Sequence, residues 1–301
     1  MKQCLILCLM QALLSSNITG QSMFTKFAER SDIQWAAVLT NNFSFPGADM
    51  NFLLRQRLAN KEIRAAIVDT PERLFSYNYV APATIAKRID LEFDATQSDS
   101  LFPLFDHRYF DNAAGKLVEV QQVFYLQKGK LKSVVNMVSP KFMVVTIAGT
   151  QLGVANAFTT AFNNHRCHNK KTKRQSIPLG RVSISAADFS VQKQLYGQTL
   201  LSALWRHLDT KNYDIIRLDS MSKIPVSAVN ASLLKLSVPS YDAEGNLMQT
   251  INSPTLGPEG FSIAQIEQSW FYNKRKNLLF NIIHSIVLNY GETAVLKILP
   301  K

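Results

Sequence analysis

The stretch EQSWFYNKRKNLLFNIIH, residues 267–284, sets three aromatics (Trp270, Phe271, Tyr272) before a basic run, Lys274-Arg275-Lys276, and then returns at once to apolar residues. Two readings compete. Rings beside cations suit a nucleic-acid surface, where bases stack on aromatics and phosphates meet lysine and arginine. They also suit a β-hairpin whose charged turn faces water. Side chains of an extended strand alternate between faces, so Trp270 and Tyr272 point one way and Phe271 the other. The triplet is then no single stacking platform, and the basic run is the turn. The hairpin reading sets nucleic acid aside and places Trp270 in a core. Trp270 also stands as a candidate partner contact, the role its ring takes if it lies at the surface instead.

The same pattern occurs earlier in the chain. QQVFYLQKGK (121–130) lies over EQSWFYNKRK (267–276), so that Gln122, Lys128 and Lys130 meet Gln268, Lys274 and Lys276 at an offset of 146 residues. LRQRLANKEIRAAIVDT (54–70) lies over LWRHLDTKNYDIIRLDS (204–220) without a gap, and Leu54, Leu58, Lys61 and Asp69 meet Leu204, Leu208, Lys211 and Asp219 at an offset of 150. Both matches keep their order, which is the signature of an internal repeat. The chain is therefore read as two related units, 33–160 and 178–299, joined by a basic linker at 161–177.

Each unit reads alike. Residues 53–60 and 199–208 carry leucines at helical spacing, and short β-branched runs follow at 63–68 and 213–218. Pro82 and Pro225 each open a stretch suited to a second helix, since proline is tolerated in a first turn. Strand patterns then follow: VEVQQVFYL, LKSVVNMV and FMVVTIAG in the first unit, FSIAQIEQSWFY and NLLFNIIHSIVL in the second. Those separated by Lys-Gly-Lys or Lys-Arg-Lys are hairpins. The expected class is α+β: two related units, each with helices packed on an antiparallel sheet or hairpins.

The first residues bear on location. Lys2 precedes a short apolar run, Cys4 to Leu14, and then the small polar run from Ser15 to Gln21. That order of charged, apolar and small polar regions is that of a signal peptide over residues 1–20. The run is too short to span a bilayer, Cys8 lacks the small residues that precede a lipidated cysteine, and no later stretch is apolar enough to cross. The expected product is a soluble exported chain. Its only cysteine is Cys167, so no intrachain disulfide can form and ordinary cores must hold the fold. Loss of residues 1–20 removes one lysine and no acid, taking the formal charge from +11 to +10. A basic exported protein suits an acidic partner or an anionic polymer or lipid surface.

Part of this charge is local. NNHRCHNKKTKRQ (163–175) holds Arg166, Lys170, Lys171, Lys173 and Arg174 with no acid. Lys170, Lys171, Lys173 and Arg174 are taken as candidate partner-binding residues. His165, Cys167 and His168 lie close together, but three ligands without a fourth make a poor zinc signature, so neither metal nor cofactor is expected. Nucleophile-elbow, P-loop, dinucleotide and zinc-protease motifs are absent from the sequence. Asp106-His107 marks no particular serine as its partner. Asp90, Glu92 and Asp94 alternate on what reads as one strand-like face and suit solvated surface better than an acid cluster. No catalytic residue is assigned, and a non-enzymatic role is expected.

IEQSWFYNKRKNLLFNIIHSIVL and LLSALWRHLDTKNYDIIRLDS resemble segments of the GldN/PorN family of gliding-motility and type IX secretion proteins. In that family a charged residue leads through Trp-aromatic-aromatic-Asp and Lys into a β-branched strand, after a helix, a short strand and an aspartate. The resemblance covers about half of each unit. Asn273 replaces the usual Asp, KRIDL (87–91) falls out of the family's order, and the family's long C-terminal region has no counterpart. The resemblance implies a divergent, duplicated relative in the Bacteroidota. It further implies a periplasmic, outer-membrane-associated structural component that works through protein contacts, as a homo- or hetero-oligomer, with a ring-forming outer-membrane lipoprotein as partner. The other reading is an exported binding protein for an anionic polymer or lipid surface.

Overall fold

The computed structural model describes residues 30–67, 79–92, 101–105, 109–110, 116–145, 151–162, 173–185, 193–195, 199–208, 212–225, 240–241, 244–248 and 260–301. The first half carries β1 (Ile33–Ser44), α1 (Met50–Ala59), β2 (Ala65–Ala66), β3 (Tyr79–Val80), α2 (Pro82–Glu92), a 3-10 turn (Phe102–Leu104), β4 (Leu117–Gln127), β5 (Lys130–Val145), β6 (Gln151–Asn156) and β7 (Thr160–Ala161). The second half carries β8 (Ile177–Ser185), β9 (Lys193–Leu195), α3 (Leu200–Trp205), β10 (Tyr213–Arg217), β11 (Lys223–Ile224), β12 (Ser240–Tyr241), β13 (Leu247–Met248), β14 (Phe261–Asn273), β15 (Leu278–Tyr290) and β16 (Thr293–Pro300).

Two antiparallel sheets dominate. The first runs β6-β5-β4-β1-β9, with β7 also on β5, and the second runs β11-β10-β16-β15-β14-β8. The expected α+β class is overturned: the protein is mostly β, and its main core lies between the sheets instead of under helices covering one sheet. Trp270 on the second sheet meets Phe43 and Phe45 of the first half at 5.3 and 5.4 Å between ring centroids. A single cluster joins these to Leu39, Val120 and Phe124 on one side and Ile266, Leu279 and Leu288 on the other.

The sequence points to α+β because β1, β8 and β16 do not read as strands. In β1, Trp35, Ala37, Leu39 and Phe43 face the main core, while Ile33, Ala36 and Val38 join a second cluster with Val123. A strand buried on both faces loses the polar alternation that betrays a half-buried one. Pro82 does open α2, but the strand expected at 63–68 shrinks to β2. The helix expected after Pro225 lies outside the described residues.

The halves correspond in detail. The order β1-β4-β5-β6 in one sheet matches β8-β14-β15-β16 in the other. In the β4–β5 hairpin the register shifts between Gln121 and Gln122; in the β14–β15 hairpin it shifts between Glu267 and Gln268, the same place at the offset of 146. The first turn, Lys128-Gly129, has positive φ at both residues (50° and 72°), the geometry of a tight two-residue hairpin. The second turn has two more residues, 274–277, and Asn277 takes the left-handed conformation that asparagine tolerates.

Corresponding residues meet at the centre. Gln122 Nε2 donates to Gln268 Oε1 (3.2 Å), which also accepts from Asn281 Nδ2 (2.7 Å), and Asn281 Oδ1 accepts from Ser133 Oγ (2.6 Å). Each half also reaches into the other. Arg57, at the end of α1, donates to the Tyr272 hydroxyl and to Asn277 Oδ1 at the second turn. His207, its counterpart after α3, packs on Gly129 of the first turn. Tyr213 accepts from the Leu131 backbone N–H (2.7 Å), and burial pushes its phenol up to about 12. The strand that follows β8, β9, pairs with β1 at Ala36 to Val38, and Gly47, which follows β1, donates its N–H to Leu179 of β8 (2.8 Å). A side chain on Gly180 would lie 2.4 Å from Pro46, so glycine is what lets this strap approach.

Trp270→Ala removes a fully buried ring from the joint core and is expected to cost about 3 to 5 kcal/mol in chemical denaturation, unfolding both halves in one transition. Gln268→Leu strands the Gln122 and Asn281 amides and should cost about 1 to 3 kcal/mol. The Gln122→Leu/Gln268→Leu pair is expected to cost less than the sum of its singles, as a double-mutant cycle would read.

Candidate interaction surface

The described end of the first basic segment, residues 173–175, meets the second in space. Asn273, at the end of β14, has its amide nitrogen 3.3 Å from both the Gln175 carbonyl and Ser176 Oγ, while its carbonyl oxygen accepts the Lys276 N–H at 3.0 Å. A carboxylate cannot donate to a carbonyl, so asparagine suits this position where the resembled family carries aspartate. The pinned segment 173–176 runs into β8 beside the hairpin turn. Lys173, Arg174, Lys274, Arg275 and Lys276 are thereby gathered, exposed, at one end of the second sheet. Lys173 places its ammonium 5.0 Å from the Phe271 ring, which in turn stacks on Phe280 at 5.3 Å. Such a cation over a ring keeps its charge available while its stem is ordered.

The charge extends across the sheet's outer face. Arg181 on β8, Ser269 on β14 and Ile282 on β15 pair in one row. His284, the extra residue of the β15 bulge, shares a 2.7 Å hydrogen bond with Ser269 Oγ. Partial burial, together with the nearby Arg181 and Lys173 charges, holds the His284 imidazole below its ordinary range, against the opposing pull of Glu267. Glu267 itself is held low by the Ser285 hydroxyl and by Lys297 at 3.0 Å, so its charge is already spoken for.

Of the candidate residues, Lys173 and Arg174 lie in this surface, and Lys170 and Lys171 fall outside the described residues. Trp270 does not belong to it: its ring is wholly buried between the sheets, while Phe271 takes the outer face. Sequence reading missed Asn273 as the pin, and missed Arg181 because β8 was not recognised. The acid run also reads differently, because Asp90 sits on helix α2, is buried, and accepts a 2.7 Å hydrogen bond from Tyr109. Among the described residues no group of three or more His, Cys, Asp and Glu gathers as a metal site; His165, Cys167 and His168 lie outside them. Among the same residues no helix is long and apolar enough to cross a membrane.

No family model, curated protein or solved structure matches this chain.

The depressed His284 sets a pH dependence. An unfolded imidazole protonates near its ordinary value of 6.5, whereas the folded one resists. His284 therefore contributes stability that is full above that value and is lost as pH falls through the lower folded value. Thermal melts of the wild type should fall more steeply between about pH 7 and about pH 5 than those of His284→Gln.

Proposed function

We propose that this chain is a non-enzymatic interaction component of a cell-envelope assembly, exported to the periplasm and held at the outer membrane by an acidic protein partner. The observation that carries the reading is the convergence of the 173–174 and 274–276 cations on one exposed end of a firmly packed sheet. Exposed cations contribute little to folding, yet they steer and orient docking on a surface of opposite charge. The setting comes from the signal-like first residues and from the resemblance of the β14–β15 and α3–β10 segments to gliding-motility and type IX secretion proteins of the GldN/PorN family. On that reading the partner is an outer-membrane lipoprotein of a ring assembly, and the two halves are diverged copies of one unit. The matching register shifts of the two hairpins support the duplication.

Replacing Lys173, Arg174, Lys274 and Arg275 by Glu tests the reading in cells. The wild type is expected to sediment with outer membranes and to be released by salt, and the variant to lose about tenfold or more of that retention with an unchanged melting temperature. Retention that survives the charge reversal would overturn the proposal. Retention lost equally from protein-free vesicles of outer-membrane lipid would replace the protein partner with an anionic lipid surface.

A further inference from the structure

The second sheet ends on an edge that the described residues cover only in part. β8 pairs with β14 along its length, but on its other side the described residues supply one backbone partner, Gly47, at Leu179. The corresponding edge in the first sheet, that of β1, is paired by β9 over Ala36 to Val38. From Arg181 to Ile184 no described residue pairs with the outer side of β8, and Arg181 and Ser183 project into solvent. A row of unpaired N–H and C=O groups is a template for another strand unless it is blunted or covered. Proteins protect such edges with short length, proline or inward charge. Here Pro178 stands at the strand's start, behind the strap, and the residues beyond it carry no such guard.

Two features narrow the occupant. The approach to the edge is cationic, with Lys173, Arg174 and the 274–276 turn at its start and Arg181 along it, against a single outer-face acid on β14, Glu267, already paired with Lys297. Alternating backbone donors and acceptors are matched in register only by another extended polypeptide. A phosphate-bearing lipid or polysaccharide would meet the cations but leave the edge unpaired. The turn at Gly47 already uses one backbone acceptor of this same edge, the Leu179 carbonyl.

We propose that the outer edge of β8 from Arg181 to Ile184 is the docking site for an acidic, extended segment of a protein partner, which adds to the second sheet as a further strand. Main-chain hydrogen bonds hold the segment, and its acidic side chains, falling on alternate residues, meet Lys173 and Arg181. The inference rests on the reading of the basic surface as a docking surface and gives that surface its mode of binding.

The test uses the full mature chain and a fluorescent peptide, Thr-Glu-Val-Glu-Val-Glu-Thr, with two further versions, each N-methylated on one of the two alternating sets of amides. The unmodified peptide is expected to bind, to weaken about tenfold or more in high salt or with Arg181→Glu, and to slow amide exchange at residues 181–184. One methylated version should bind as well as the parent and the other not at all, because only one set of amides can face β8. Equal binding of both, or exchange at 181–184 unchanged by bound peptide, overturns strand addition while leaving the charged surface as the docking site. Failure of the peptide to bind while vesicles of phosphatidylglycerol do so in a salt-sensitive manner also overturns it, in favour of lipid. Arg181→Glu with wild-type affinity overturns the assigned charge contact. Failure of the docking reading itself shows elsewhere, as outer-membrane retention that survives reversal of the 173–174 and 274–275 charges.

Discussion

The hydrogen bond between Gln122 and Gln268 is the constraint on which the fold turns. Both side chains are fully buried, and both occupy the same place in corresponding hairpins. A buried amide without a partner is costly, so the two sheets can close only in the register that brings these glutamines together. Apolar packing alone would tolerate a slide of one sheet over the other. The polar chain from Gln122 through Gln268 and Asn281 to Ser133 does not, since a slide would break the two hydrogen bonds of that chain that cross from sheet to sheet, Gln122 to Gln268 and Ser133 to Asn281.

Once that register is fixed, the remaining contacts between halves follow from it. Each turn comes under the other half's helix end, where Arg57 serves one and His207 the other. Each outer strand meets the segment that follows the other, β9 on β1 and the Gly47 strap on β8. The result is one core fed by both halves, so neither has a complete interior of its own. Gly180 belongs to the same scheme: at its φ of 107° an added Cβ would lie 2.4 Å from Pro46, so no larger residue fits without displacing the strap.

What the sequence disclosed and what it hid divide along physical lines. Both hairpins, their turns, and the alternation that puts Trp270 and Tyr272 inside and Phe271 outside were legible, because period-two patterns around basic turns are local signals. The leucine stretches that became α1 and α3 were legible for the same reason. β1 was not, since it is buried on both faces, and β8 was not, since Pro178 and Gly180 depress strand propensity. Those two residues make sense only in the fold, the one at the start of an edge strand and the other under a strap. The local signals therefore point to α+β, whereas the strands they do not reveal complete two facing sheets. Of the surface, the charge runs at 170–174 and 274–276 could be seen, but the meeting of Lys173 and Arg174 with the second run depends on the pairing of β8 with β14 and on Asn273, which bridges segments about a hundred residues apart.

The outer faces of the two sheets show how alike frameworks come to present different surfaces. On the first sheet Val38, Val123, Tyr125 and Val134 form an apolar cluster with Ile33 and Ala36, and its buried members shed water. At the corresponding places on the second sheet stand Arg181, Ser269, Phe271 and Ile282, with His284 where the first sheet has Asn136. The inward positions match in burial, as Phe124 and Trp270 or Val120 and Ile266 show, because a change there would be felt by both halves at once. Outward positions carry no such debt to the joint core. A shared interior thus leaves the exteriors free to differ, and the second sheet carries cations, a hydroxyl and an imidazole there, beside a strand edge left partly unpaired among the described residues. A framework stiffened by two halves gripping each other suits a surface of that kind, since charges on a rigid sheet keep their spacing when an opposite surface approaches.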